Sequence, residues 1–177
     1  MRFKKFCSLS IAAAIGMSIL AGTAAAKETT AGLTFDFNQN NGGFTPIFSD
    51  YPNEQGVEEF YELRSGHEEV PIAEAGKGLF LSGNNHSDDL FMGYYKDLSG
   101  LVPETEYQFT VRFQLATNVE NDMIGIGGAP GESVFVKCGV ASEEPENSLD
   151  SLNHFRLNID KGSQSTSGSD MIVVGNL

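Results

Sequence analysis

Hydrophobic and polar residues alternate with a period of two along much of the chain, the spacing of half-buried strands rather than of helices. The longest run is 106–117. Tyr107, Phe109, Val111, Phe113 and Leu115 fall on one face, and Gln108, Thr110, Arg112 and Gln114 on the other. Leu33, Phe35 and Phe37 alternate in the same way and run into Asn40-Asn41-Gly42-Gly43, a strong turn signal. Further strands are predicted at 78–82, 90–95, 123–127, 133–139, 155–159 and 171–174. The pattern over 57–63 is ambiguous, because Val57, Phe60 and Tyr61 also fit one helical turn. Short strands separated by Gly, Asn, Asp and Pro turns predict an all-β fold, an antiparallel β-sandwich of jelly-roll type. The strand at 171–174 lies three residues from the end of the chain. Either 171–177 is itself the closing strand, or the chain is a fragment lacking its last strand or strands; the second expectation is slightly favoured. Segments 142–151 and 162–169 read as mobile surface loops.

The first 26 residues break this pattern. Arg2, Lys4 and Lys5 precede a charge-free, mostly apolar run over 9–22, and Ala24-Ala25-Ala26 follow. This is the layout of a signal peptide of bacterial type, too short to span a bilayer, which takes about 20 apolar residues. It predicts a protein that begins at Lys27, is secreted or periplasmic, and has no transmembrane segment. Leu20-Ala21-Gly22 could open a lipid-attachment motif, but Thr23 stands where a cysteine is required, so release is expected rather than anchoring.

What remains over 27–177 is the size of one domain with a real core. Removing the three positive charges of the leader takes the formal net charge from −13 to −16. Such a surface repels nucleic acid and anionic membranes, and is compatible with neutral sugars, cationic partners and divalent ions. Cys138 is the only cysteine left, so packing rather than an internal disulfide must hold the domain. It alternates with Val134 and Val136 and reads as a small buried hydrophobe.

Leu98-Ser99-Gly100-Leu101-Val102-Pro103-Glu104-Thr105-Glu106-Tyr107, followed by the long alternating strand, resembles the strand entry of jelly-roll domains in the galactose-binding and carbohydrate-binding-module group. Phe35-Asp36-Phe37 with Gly42-Gly43-Phe44 is similar to their first strand. Residues 82–92, 127–137 and 158–162 resemble a family of secreted bacterial proteins, often lipoproteins, of uncharacterised function. The resemblance implies a sandwich fold and export and supplies no activity. It also implies a chain that continues past residue 177.

Candidate chemistry concentrates in the loop at 84–89, where Asn84, Asn85, His86, Ser87, Asp88 and Asp89 stand between two apolar strands. Oxygen-rich groups of this kind suit calcium, with Asp88 and Asp89 as candidate ligands, and also suit sugar hydroxyls. They equally suit a turn whose Asn and Asp side chains bond their own backbone. Asp160 and Lys161 form a second, weaker patch. Gly125 to Ser133 lacks the Gly-Lys-Ser/Thr of a phosphate loop, with Glu132 in its place, and reads as a Gly/Pro hairpin. His67, His86 and His154 lack zinc-ligand spacing, and no Gly-x-Ser-x-Gly elbow occurs. The chain has no Trp, which weakens a glycan reading, although Tyr51, Tyr61, Tyr94 or Tyr95 could supply a sugar platform; Tyr94 and Tyr95 should point to opposite faces of their strand. The expectation is an exported, non-catalytic binding or accessory module for glycan or another extracellular ligand, assisted by calcium at the acidic loop. A cell-surface structural or protein-interaction domain is the alternative, and a secreted hydrolase with paired acids the second alternative.

Overall fold

Odd-numbered residues from Thr105 to Thr117 are half-buried and even-numbered ones exposed, so the alternation read from the sequence is expressed as two faces. The computed structural model describes residues 10–16, 29–86, 89–120, 122–124 and 128–177. In chain order the strands are β1 (Ser10–Gly16), β2 (Thr29–Thr34), β3 (Thr45–Ser49), β4 (Arg64–Glu69), β5 (Lys77–Ser82), β6 (Phe91–Tyr95), β7 (Glu106–Thr110), β8 (Phe135–Gly139), β9 (Asn147–Leu149), β10 (Phe155–Leu157) and β11 (Met171–Asn176). Two single-turn helices, α1 (Val57–Phe60) and α2 (Pro130–Ser133), complete the described elements. The content is all-β, and every ladder is antiparallel. No helix among the described residues is long and apolar enough to cross a membrane.

The chain clusters into two units, each taken by itself. One holds a three-stranded sheet in the order β2-β1-β7. Its central strand, β1, falls within the segment read as a leader, and Ala13 lies opposite Ala31 on one side and Phe109 on the other. Of the predicted 106–117 strand, Glu106–Thr110 forms β7, and no strand is assigned over 111–117.

The other unit, Phe37–Lys96 with Asn118–Leu177, is built from four two-stranded ribbons: β3–β6, β4–β5, β8–β11 and β9–β10. Strands predicted at 78–82, 90–95, 133–139, 155–159 and 171–174 all have counterparts here, with ends shifted by one to two residues. The ambiguous stretch at 57–63 resolves as helix α1, entered through Gly56 at φ 78° and left through Glu62 at φ 52°. Pro130 opens α2, its fixed φ being suited to a first helical position, so the predicted Gly/Pro hairpin is instead a helical turn leading into β8. Met123 and Ile124 are not in a strand, and Gly125–Gly127 of that predicted strand lie outside the described residues.

The chain beyond β3 extends this unit's pairing. The Asp50 N–H donates to Phe155 O at 2.9 Å, and the Phe155 N–H donates to Tyr51 O at 3.0 Å. Pro52 bridges His154, and the Asn53 N–H reaches Asn153 O at 2.8 Å. Residues 50–53 thus run antiparallel to 153–155. The tightest packing sits on this seam: Tyr51 and Tyr61 are buried, and the Tyr51 ring lies 4.9 Å from Phe155 and 5.9 Å from Tyr61. Burial, with a smaller contribution from the Glu58 charge, raises the Tyr51 phenol above its ordinary range.

Tyr94 and Tyr95 divide as an alternating strand requires. The Tyr94 hydroxyl accepts from the Gly66 N–H and lies against Phe80 O at 3.0 Å, while the Tyr95 hydroxyl donates to Glu144 at the surface. Cys138 is half-buried and free, and burial pushes its thiol upward, the behaviour of a small hydrophobe.

Candidate functional site

The 50–53 and 153–155 pairing brings two sequence-distant charges together. Asp50 is left-handed at φ 62°, an uncommon conformation for a non-glycine residue, and its side chain is only 5% exposed. A carboxylate this deep has to be matched by cations. Arg156 Nη1 donates to Asp50 Oδ1 at 2.8 Å, and Lys161 Nζ stands 2.6 Å from Asp50 Oδ2. The same guanidinium reaches outward: Nε donates to Asp150 Oδ2 at 3.0 Å and Nη1 to Asp89 Oδ2 at 3.2 Å. These bonds, to Asp50 first and Asp150 next, raise Arg156 further above its usual range. Asp150 is held below its usual range mainly by the His154 N–H, with Arg156 and the Leu152 N–H adding to it. Lys161 also lies over the Phe91 ring, 5.5 Å from its centroid.

The two candidate patches therefore meet in one cluster. Asp89 from the first and Lys161 from the second both join the Asp50–Arg156 pair. Asp160 faces elsewhere and shapes the following loop: its carboxylate accepts the N–H groups of Gly162 and Ser169 at 3.0 and 2.8 Å, and these bonds, Ser169 foremost, hold it below the usual carboxylate range. Gly162, at φ 68°, admits the turn; a side chain there would collide with Thr166 O. Lys137 closes the loop from β8. Its ammonium donates to the carbonyls of Lys161 at 2.7 Å, Thr166 at 2.9 Å, and Ser163. Burial and the nearby Lys161 charge hold Lys137 below the usual lysine range. The stretch at 162–169, predicted to be a mobile loop, is tied down by these bonds.

The 84–89 loop is fixed at both ends. The Asn84 N–H donates to Tyr61 O at 2.7 Å, and Asn85 Oδ1 accepts from the Leu90 N–H at 3.4 Å. Asp89 carries the contact to Arg156. Between them, His86 Nε2 lies 3.1 Å from Phe60 O, and its ring stacks on Phe60 with centroids 4.1 Å apart and planes 26° apart. Tyr61 meets the same imidazole edge-on at 5.2 Å. Helix α1 creates this arrangement because its single turn buries Tyr61 and leaves its neighbour Phe60 62% exposed. Asp88 and Ser87 lie outside the described residues.

A cleft of about 540 Å³ opens on this stack, lined by Pro52, Gln55, Val57, Phe60, Tyr61 and His86. A second, of about 440 Å³, lies on the side of Glu54, Glu58, Glu59 and Phe155. Both fall in the size range of small-ligand sites. Among the described residues there is no group of three or more His, Cys, Asp or Glu arranged to hold a metal ion.

No family model, curated protein or solved structure matches the chain.

Of the predicted positions, His86 lines the aromatic cleft, Asn84 and Asn85 tie down the loop that carries it, Asp89 and Lys161 belong to the charged cluster, and Asp160 serves its own loop. Asp50, Arg156 and Phe60 escaped the sequence reading. Arg156 carried no signal for the cluster, since alternation with Phe155 and Leu157 assigns it to a polar face just as it does Arg112. Phe60 gave none, because exposure within a single helical turn depends on which way that turn packs.

Proposed function

We propose that this chain is an exported, non-catalytic binding module, secreted or periplasmic, that recognises glycan through the aromatic face of Phe60 and His86. The observation that carries the reading is the exposed Phe60 ring, stacked at 4.1 Å on His86 beside a cleft of about 540 Å³. Apolar sugar faces pack on such rings, and polar groups at the rim set orientation. Gln55 supplies an amide there and Glu54 a carboxylate. The platform expected of a tyrosine falls to a phenylalanine and a histidine, while Tyr61 supports it from beneath.

The finer architecture we propose is the jelly-roll-like sandwich implied by the resemblance to secreted bacterial proteins; the antiparallel ribbons are compatible with it. Calcium assistance, in this reading, rests on Asp88, with Asp89 already engaged at one oxygen by Arg156. A second reading, protein contact, is favoured by Ile172 and Val174 on β11, 59% and 50% exposed. A glycan array probed with the folded protein, in calcium and in EDTA, separates the two. Glycan binding lost on Phe60→Ala supports the platform, and glycan silence from a cooperatively folded sample favours protein contact.

A further inference from the structure

We infer that the glycan taken by the Phe60 cleft is a cationic one, carrying free amino groups rather than N-acetyl or anionic substituents. The inference rests on the platform reading and adds the ligand class to it. Glu54, Gly56 and Val57 line both clefts, so the aromatic cleft at Phe60 and the acidic one at Phe155 adjoin over the same three residues. A side chain at Gly56 would meet nothing within 4 Å, so the junction is open and a ligand longer than one sugar ring can reach across it. Three exposed carboxylates, Glu54, Glu58 and Glu59, stand on that path. None of them has an ion-pair partner among the described residues, in contrast to Asp50, Asp89 and Asp150, which share Arg156. Neither lining includes a lysine or arginine among the described residues. The negative potential is felt nearby, since the Glu58 charge adds to the raising of the Tyr51 phenol. A protonated amine beside Phe60 meets the negative face of the ring together with the Glu54 carboxylate. A uronate, sulfate or phosphate would instead meet three like charges, on a chain of formal net charge −13. An N-acetyl group keeps the apolar sugar face and gives up the charge, so the carboxylates and not the ring distinguish the two.

The test titrates the full chain with three oligosaccharides of equal length, built from glucosamine, N-acetylglucosamine and glucose. Calorimetry at about pH 6 keeps amines protonated and glutamates ionised. The glucosamine oligomer is expected to bind about tenfold more tightly than the other two at low salt, and to lose that advantage in about 0.5 M NaCl. Glu54→Gln should weaken the glucosamine oligomer about two- to fivefold and leave the two uncharged ones within about twofold, the effect of one exposed ion pair. Equal affinity for all three, or a preference that neither salt nor Glu54→Gln moves, would overturn the inference and leave the platform standing. Should Glu54→Gln fail to fold, the salt series on the wild type decides alone. An oligolysine of the same charge that displaces the glucosamine oligomer as well as that oligomer displaces itself would show that charge alone is read, and would overturn recognition of an amino sugar. Phe60→Ala, by contrast, should weaken all three. Absence of binding to any of them by a well-folded wild type would overturn the platform and this inference together, so the two ideas fail in different ways.

Discussion

Lys161 and Arg156 take opposite oxygens of one buried carboxylate: Lys161 Nζ lies 2.6 Å from Asp50 Oδ2 while Arg156 Nη1 donates to Asp50 Oδ1 at 2.8 Å. Asp50 is thereby neutralised by two cations from beyond β9, more than a hundred residues along the chain. The cluster joins the end of β3 to β10 and to the start of the 160–169 loop. It is the scaffold against which the 84–89 loop is set, rather than a ligand site, since its deepest group already faces two cations.

Removing Arg156 should therefore be costly. Arg156→Ala leaves Asp50 with Lys161 alone and is expected to destabilise the protein by about 2 kcal/mol, the range for losing hydrogen bonds to a charged group while a second cation remains. Urea denaturation measures it. A loss below about 1 kcal/mol would show that the pair does not hold the seam.

Acid should weaken the same region. Asp150 and Asp160 both have folded-state values below their ordinary 3.8. Their contribution is fully present above the unfolded value and is lost as the pH falls through the lower folded values, so the loss begins below about pH 4. Melting temperatures measured from pH 6 to pH 2 should fall over that window. The slope should be shallower in Asp150→Asn.

The seam and the platform differ in how far the sequence exposed them. The strand at 106–117 was legible because a period of two dictates two faces whether or not a partner is bonded, and its burial alternates throughout even though pairing ends at Thr110. β4, Arg-Ser-Gly-His-Glu-Glu, was not legible: it carries no apolar face, and its pairing with β5 comes from the hairpin. Asp89 and Lys161 could be chosen as polar loop residues, but their meeting place could not, because Asp50 and Arg156 are separated by 106 positions. Local patterns do not encode that separation.

Lys137 gives a third expectation. Its ammonium donates to the carbonyls of Lys161, Ser163 and Thr166, so Lys137→Met should release the loop without opening β8–β11. Hydrogen exchange at residues 162–169 is expected to accelerate by about tenfold or more, with the amides of β8 and β11 unchanged. Uniform acceleration across all of them would assign Lys137 to the ribbon as a whole.

Phe60→Ala should be nearly silent in stability, within about 0.5 kcal/mol, because the ring is 62% exposed. A larger loss in thermal denaturation would mean that the ring is needed for packing against His86 and Tyr61 rather than left open to a ligand.

The most direct test of glycan recognition at Phe60 and His86 is a comparison of wild type and Phe60→Ala on one glycan array, both first shown to melt cooperatively. Wild type should bind a defined glycan set, and Phe60→Ala should lose about two- to tenfold in affinity for the same set, the worth of one aromatic stacking contact. Equal binding by the two proteins, or no glycan binding by a well-folded wild type, would contradict the proposed function.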